Sequence, residues 1–226
     1  MPQRFMQTDE ASKKTYLTDV YDSIIVKDIV RRFNIKDIDL LNRIVTYIIT
    51  TPSQTFSPES LKKHFESESR GVSLETLYNY LDYITRANLI SKAERYDIRG
   101  KRILTGKYKY YLTDLGFANI LSEEKKEQIG AYLENIVYNE LLARGYNVNV
   151  GNTDNSEIDF ITTRFEEKIY IQVAYILADE SVVNREFGAY KKIDDNYPKY
   201  VITMDKFDFS QNGIIHKNII KKIKLN

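Results

Sequence analysis

The chain has 226 residues with 42% hydrophobic and 29% charged residues and a formal net charge of +1, the balance of a globular protein with one large or two small domains. It has no cysteine, which excludes disulfides and thiolate metal sites, and its two histidines, His64 and His216, leave little for a histidine-rich zinc centre. The longest apolar runs, such as Ile169 to Ala178, are too short to span a bilayer, and the N-terminus lacks an apolar signal core; no membrane partner and a cytoplasmic location are expected.

From Thr18 to about Ala87 the apolar residues recur at helical spacing. Val20, Ile24, Ile25, Ile29 and Phe33 mark a first helix. Asp37 is placed to cap a second, with Leu40, Leu41, Ile44, Val45 and Ile48 inside. Ser57-Pro58-Glu59 reads as an N-cap, a first-turn proline and an acid for the helix dipole, and predicts a short third helix ending near Phe65. A fourth begins at Ser73, with Leu74, Leu77, Leu81 and Ile84 facing inward. Leu89–Ser91 and Tyr108–Leu112 read as strands around a Gly100-Lys101-Arg102 turn. Helix, helix, helix and hairpin is the order of a winged helix-turn-helix.

After Gly116 helices and strands alternate. A helix is predicted from about Gln128 to Ala143, stopped by Gly145. Strands are predicted at Tyr146–Val150, Ile158–Thr162, Ile169–Tyr175 and Tyr200–Met204, with a helix over Glu180–Lys192. Ile214–Ile220 reads as a last strand or a short helix. The polar run from Ser122 marks the boundary between a domain over 1–116 and a second over 117–226.

Charge is uneven, with 19 basic against 15 acidic residues up to residue 120. Between Lys92 and Lys109 the hairpin carries Arg95, Arg99, Lys101, Arg102, Lys107 and Lys109, interleaved with Tyr96, Tyr108 and Tyr110. Such a wing is expected to lie along the phosphates of DNA. The alternative is a packing or protein-interaction module, because the fourth helix is poor in base-reading side chains.

The second segment holds an ordered polar set in apolar surroundings: Glu134 on the predicted helix, Glu157 and Asp159 at one strand, and Gln172 in the next. Mg²⁺ or Mn²⁺ takes oxygen ligands, and two or three protein oxygens suffice to hold an ion that polarises a phosphate and activates water. Asp159, Gln172, Glu134 and Glu157 are the candidate metal ligands, with Glu134, Asp159 and Gln172 the candidate catalytic groups. Each also has a plain explanation: a solvated helix acid, acids flanking a turn, a core amide with its hydrogen bonds satisfied. The order helix Glu, strand Asp, strand Glu or Gln, then Lys resembles the PD-(D/E)XK nuclease core. Here Ala174 stands in the lysine position, and Lys191 and Lys192 are the candidates for a relocated ammonium.

A wider resemblance rests on Tyr21-Asp-Ser-Ile-Ile-Val-Lys-Asp-Ile-Val-Arg-Arg-Phe, Thr76-Leu-Tyr-Asn-Tyr-Leu, Tyr96-Asp-Ile-Arg-Gly-Lys-Arg, Leu133-Glu-Asn-Ile-Val, Glu157-Ile-Asp-Phe and Asp195-Asn-Tyr-Pro-Lys-Tyr. Together they resemble the C-terminal region of prokaryotic AAA-type ATPases that carry the domain of unknown function number 4143. The resemblance implies a winged helix followed by a restriction-endonuclease-like mixed sheet flanked by helices, with an ATPase domain preceding both. No Gly-x-x-x-x-Gly-Lys-Ser/Thr loop is present, so no ATP site of that kind is expected, and the chain reads as a C-terminal fragment or short reading frame. The expected partners are DNA and the missing ATPase domain, with homo-oligomerisation left open. The leading functional expectation is a DNA-binding regulatory module with a degenerate nuclease core. The alternatives are an active Mg²⁺-dependent endonuclease with a relocated lysine and an interaction domain that positions the ATPase.

Overall fold

A computed structural model describes residues 9–121, 128–153 and 156–221. The polar run from Ser122, expected to mark the domain boundary, lies outside the described residues. The chain divides into two compact units: unit 1 comprises residues 1–92 and 110–126, and unit 2 comprises 93–109 and 127–226.

Unit 1 is mainly helical. Helix α1 (Glu10–Ser23) continues as a π-helical stretch, Ile24–Arg31, where a regular helix is predicted; the sequence offers no proline or glycine to explain the wider turn. Three caps form as their residue types dictate. The Asp37 carboxylate accepts from the Leu40 N–H at the start of α2 (Ile38–Thr50). Ser57 and Ser60 close a reciprocal capping box on α3 (Pro58–Ser67), and Ser73 caps α4 (Leu74–Arg86). The inward stripes meet in a core containing Ile29, Leu41, Ile44, Leu61, Phe65, Leu77 and Ile84, all essentially inaccessible to solvent. Strand β1 (Thr55–Phe56) separates α2 from α3, and Phe56 stacks on Tyr110 at 4.6 Å. Helix α5 (Ala118–Leu121) closes the described part of the unit.

Strands β2 (Ile90–Asp97) and β3 (Arg102–Leu112) run well beyond their predicted bounds. The strands of the chain follow the order β1-β3-β2-β4-β5-β6-β7-β8. In unit 2, β4 (Asn147–Asn152) pairs parallel to β2 and antiparallel to β5 (Glu157–Arg164). Strand β6 (Glu167–Val173) is antiparallel to β5, while β7 (Lys199–Thr203) and β8 (Ile214–Asn218) add in parallel. The mixed sheet is accompanied by α6 (Ile129–Ala143) and α7 (Glu180–Gly188), and α7 ends in a 3₁₀ turn over Ala189–Lys192 rather than continuing as one helix. Gly145, with φ of 79°, stops α6 as predicted. Ile214–Asn218 resolves the alternative at the C-terminal end in favour of a strand.

One irregularity positions the site. Asn149 pairs with Ile161 and Gly151 with Ile158, so Asp159 and Phe160 together stand opposite the single residue Val150. This β-bulge breaks the two-residue alternation and re-aims side chains. Ile158 and Ile161 pack with Tyr170, Tyr190 and Val201 in one cluster. Phe160 meets Tyr138 of α6 instead, with ring centroids 6.0 Å apart. Gly151 fits beneath the bulge because it has no side chain: a Cβ there would lie 2.9 Å from the Ile158 Cβ.

Candidate functional site: an acid cluster closed by Lys109

Glu134 projects from the middle of α6, and Glu157 and Asp159 from the first residues of β5. All three converge on one ammonium, the Nζ of Lys109 on β3. It lies 2.8 Å from the Glu134 carboxylate, 2.7 Å from Glu157 and 3.9 Å from Asp159. Lys109 is only 4% exposed, Glu134 8% and Asp159 9%, so the plain explanation of Glu134 as a solvated helix acid does not hold. Gln172 joins through the backbone, its side-chain oxygen accepting from the Asp159 N–H at 3.2 Å. The second Asp159 oxygen accepts from the Val173 N–H at 2.8 Å. The bulge therefore places Asp159 between two β6 contacts while Glu157, two residues earlier, reaches the same lysine.

Burial works against the Lys109 ammonium, but the charges of Glu134, Asp159 and Glu157 outweigh it and raise its pKa above the ordinary lysine value. Asp159 moves the other way from a well-paired carboxylate. Burial first, then the facing charge of Glu134, pushes it well above the ordinary range, against the opposing pull of Lys109 and the Val173 N–H. Three acids share one cation, and Asp159 bears the surplus. Because the native state binds this proton more tightly than the unfolded chain, stability falls as pH rises from the ordinary carboxylate value through the raised native one. Asp159→Asn keeps an acceptor for the Val173 N–H and removes that fall. The variant is expected to be more stable than the parent at neutral pH without added metal, with the advantage vanishing in acid, as urea denaturation across pH would measure.

Two groups near the cluster were not singled out by sequence. Glu186 of α7 is 4% exposed and adds to the field that raises Asp159. One of its oxygens pairs with Arg185 at 2.7 Å, and the other is buried without a hydrogen-bond partner among the described residues. Tyr190 is buried, and its hydroxyl donates to the Tyr200 carbonyl; burial, then Asp159 and Glu186, raises its pKa well above the ordinary phenol value. Glu186 had no sequence signal, since a glutamate after Asn184-Arg185 reads as the polar side of an ordinary helix. Lys109 did have one: a lone lysine inside Tyr108-Lys-Tyr-Tyr-Leu is a cation in an apolar strand.

The basic residues assigned to a DNA-binding wing separate into groups. Lys109 is corrected from an exposed wing residue to a buried member of the acid cluster. Arg95 is half-buried and donates to the Asn152 side chain. Arg102 is exposed and 3.8 Å from Asp97, and Arg99, Lys101 and Lys107 are exposed. Lys191 and Lys192, the candidates for a relocated lysine, are exposed on the 3₁₀ turn and line a cleft that includes none of the three acids. Ala174 is buried and its N–H donates to the Ile202 carbonyl.

Among the described residues no three His, Asp or Glu side chains form a ready metal cage. The side chains that meet Lys109 are all carboxylates in excess over the one cation, and carboxylate oxygens are the donors a hard cation takes. Mg²⁺ commonly uses only one or two carboxylates and keeps its waters. No helix among the described residues is long and apolar enough to cross a membrane.

A family model for a domain of unknown function, DUF8612, matches residues 1–128. An uncharacterized protein of Haemophilus influenzae is 36% identical over 198 residues, covering 88% of this chain and 49% of its own length. The uncharacterized protein MJ1544 of Methanocaldococcus jannaschii is 33% identical, covering 84% of this chain and 43% of its own. The chain thus spans about half the length of the curated relatives it matches. No solved structure matches it significantly. The matching family is not the domain number 4143 indicated by the sequence resemblance, and the relatives' names say nothing of an ATPase.

Proposed function

The chain belongs to the family of the domain of unknown function DUF8612, and we propose that its unit 2 carries a metal-dependent phosphodiesterase site of the PD-(D/E)XK kind with Lys109 in the role of the missing strand lysine. The observation that carries this reading is the meeting of Lys109 with Glu134, Glu157 and Asp159. It favours an active nuclease over the degenerate core expected from Ala174, because an ammonium is supplied to the acids from another strand.

Glu134 and Asp159 are the residues to hold a divalent cation, with the Gln172 oxygen beside them. Such an ion, when bound, polarises a phosphodiester and lowers the pKa of a bound water. Lys109 then holds the water and offsets charge developing on the phosphate, a role that needs a fixed ammonium in a dry setting. Glu157 keeps Lys109 in place through its 2.7 Å ion pair. Gln172 and the Val173 N–H hold the Asp159 backbone and carboxylate.

The segment from α2 to β3 fits the same reading as a winged helix. The order α2, β1, α3, α4, β2, β3, with β1 beside β3, supports it. We take an ATPase partner as the extension of the sequence resemblance.

The test is cleavage of linear and supercoiled DNA with Mg²⁺ or Mn²⁺. The parent chain is expected to cleave and Asp159→Asn to be inactive while folded. A parent without cleavage under either metal, or an Asp159→Asn variant with full activity, overturns the proposal.

A further inference from the structure

Glu186 stands near the acid cluster without joining the ion pairs of Lys109. Its partner is Arg185, the residue before it. That guanidinium holds one carboxylate oxygen through two nitrogens, at 2.8 Å and 2.7 Å. The Arg185 side chain is 71% exposed, so water screens its charge. The other Glu186 oxygen is buried and has no hydrogen-bond partner among the described residues. A buried carboxylate oxygen without a donor is costly, and native proteins seldom keep one without a water, an ion or a chemical task to account for it.

The packing of α7 sets Glu186 beside the start of β5. Phe187, the next residue, and Tyr190, four residues on, belong to one core cluster with Ile158, the neighbour of Asp159. The Tyr190 hydroxyl donates to the Tyr200 carbonyl, and Tyr200 pairs with Ile171, next to Gln172. Gln172 in turn accepts from the Asp159 N–H. The helix is thus fixed against the two strands that carry the site. Burial is the main cause of the raised pKa values of Asp159 and Tyr190, and the Glu186 charge adds to both.

We propose that Glu186 belongs to the cation site, its free oxygen accepting from a water of the divalent cation that Glu134 and Asp159 hold. This rests on the metal reading of the acid cluster and adds to it an acid from a second helix. An isolated water would satisfy the free oxygen and leave the repulsion between Glu186 and Asp159 untouched. A divalent cation relieves both, because Mg²⁺ keeps several of its waters, and acceptors outside the ligand set hold such groups in place. The lack of a ready three-acid cage among the described residues fits contact through water rather than a direct bond. A proton on Glu186 is the remaining alternative, and a metal titration separates the two.

The experiment is calorimetric titration of Mn²⁺ into the full chain at neutral pH, with circular dichroism to show that each variant is folded. Glu186→Gln is expected to weaken Mn²⁺ binding about ten- to a hundredfold, as loss of a group that supports a metal site from outside commonly does. Glu180→Gln removes an exposed acid from the first turn of the same helix and should bind as the parent does. Parental affinity in Glu186→Gln, the result if Glu186 only carries a proton or only pairs with Arg185, overturns the assignment. So does an equal loss in Glu180→Gln, which would make the effect one of overall charge. Should Glu186→Gln not fold, Glu186→Asp keeps the charge and draws the oxygen back by one methylene; it should show a smaller loss, and parental affinity there is equally fatal. If Mn²⁺ binding depends on Glu186 but the parent cleaves no DNA, the phosphodiesterase reading falls and the Glu186 site stands. If the parent binds Mn²⁺ and cleaves while Glu186→Gln keeps parental affinity, the Glu186 site falls and the phosphodiesterase reading stands. A parent that binds no Mn²⁺ overturns both.

Discussion

Lys109→Met is expected to destabilise the protein by about 3–5 kcal/mol, the usual cost of removing one partner from a buried ion cluster. The methionine replaces the lysine stem well enough, so the loss comes from Glu134 and Asp159, left buried with the shared ammonium gone. Urea denaturation followed by far-UV circular dichroism measures it. Adding Asp159→Asn in the same background should recover part of the loss, because the number of unpaired acids falls; that coupling separates the charge effect from a packing effect. A Lys109→Met variant as stable as the parent would mean that the acids reach water freely and that the cluster is not closed.

The same substitution is expected to lower the rate of DNA cleavage about a hundred- to thousand-fold, which is the usual weight of one preorganised charged group in a transition state. The comparison is made at saturating substrate and metal, at a temperature where both proteins are folded. Metal affinity should be kept or raised, since the competing ammonium has gone. Lys191→Ala and Lys192→Ala should act differently: at saturating DNA their rates should match the parent, because these side chains lie on the cleft and not on the acids. If Lys191→Ala or Lys192→Ala lost cleavage at saturation while Lys109→Met kept it, the lysine role would belong to the 3₁₀ turn after all.

Much of the frame was legible in the sequence because its signals are local. Asp37, Ser57 and Ser73 cap helices through side-chain oxygens three residues from the N–H groups they accept from, and no distant contact is needed to see it. Glu134, Glu157, Asp159 and Gln172 were legible as polar residues in apolar runs. What stayed hidden depends on partners far along the chain. The acids choose their cation from β3, and Lys109 read as one charge of a basic hairpin because it is so far from Glu134 in sequence. The Asp159–Phe160 bulge comes from a mismatch with β4, which a single strand's alternation does not reveal. Glu186 is buried by the way α7 packs, although its helix reads as ordinary surface. The π-helical stretch at Ile24–Arg31 has no sequence cause that we identify.

Titrating Mn²⁺ into the parent chain and into Asp159→Asn by isothermal calorimetry at neutral pH addresses the central claim most directly, because it asks whether the acids serve a metal or merely bind their lysine. Saturable heat in the parent that disappears in Asp159→Asn is the expected result. No binding in the parent, or identical isotherms in both proteins, would contradict the account and leave Lys109, Glu134, Glu157 and Asp159 as an ion cluster that only holds the fold together.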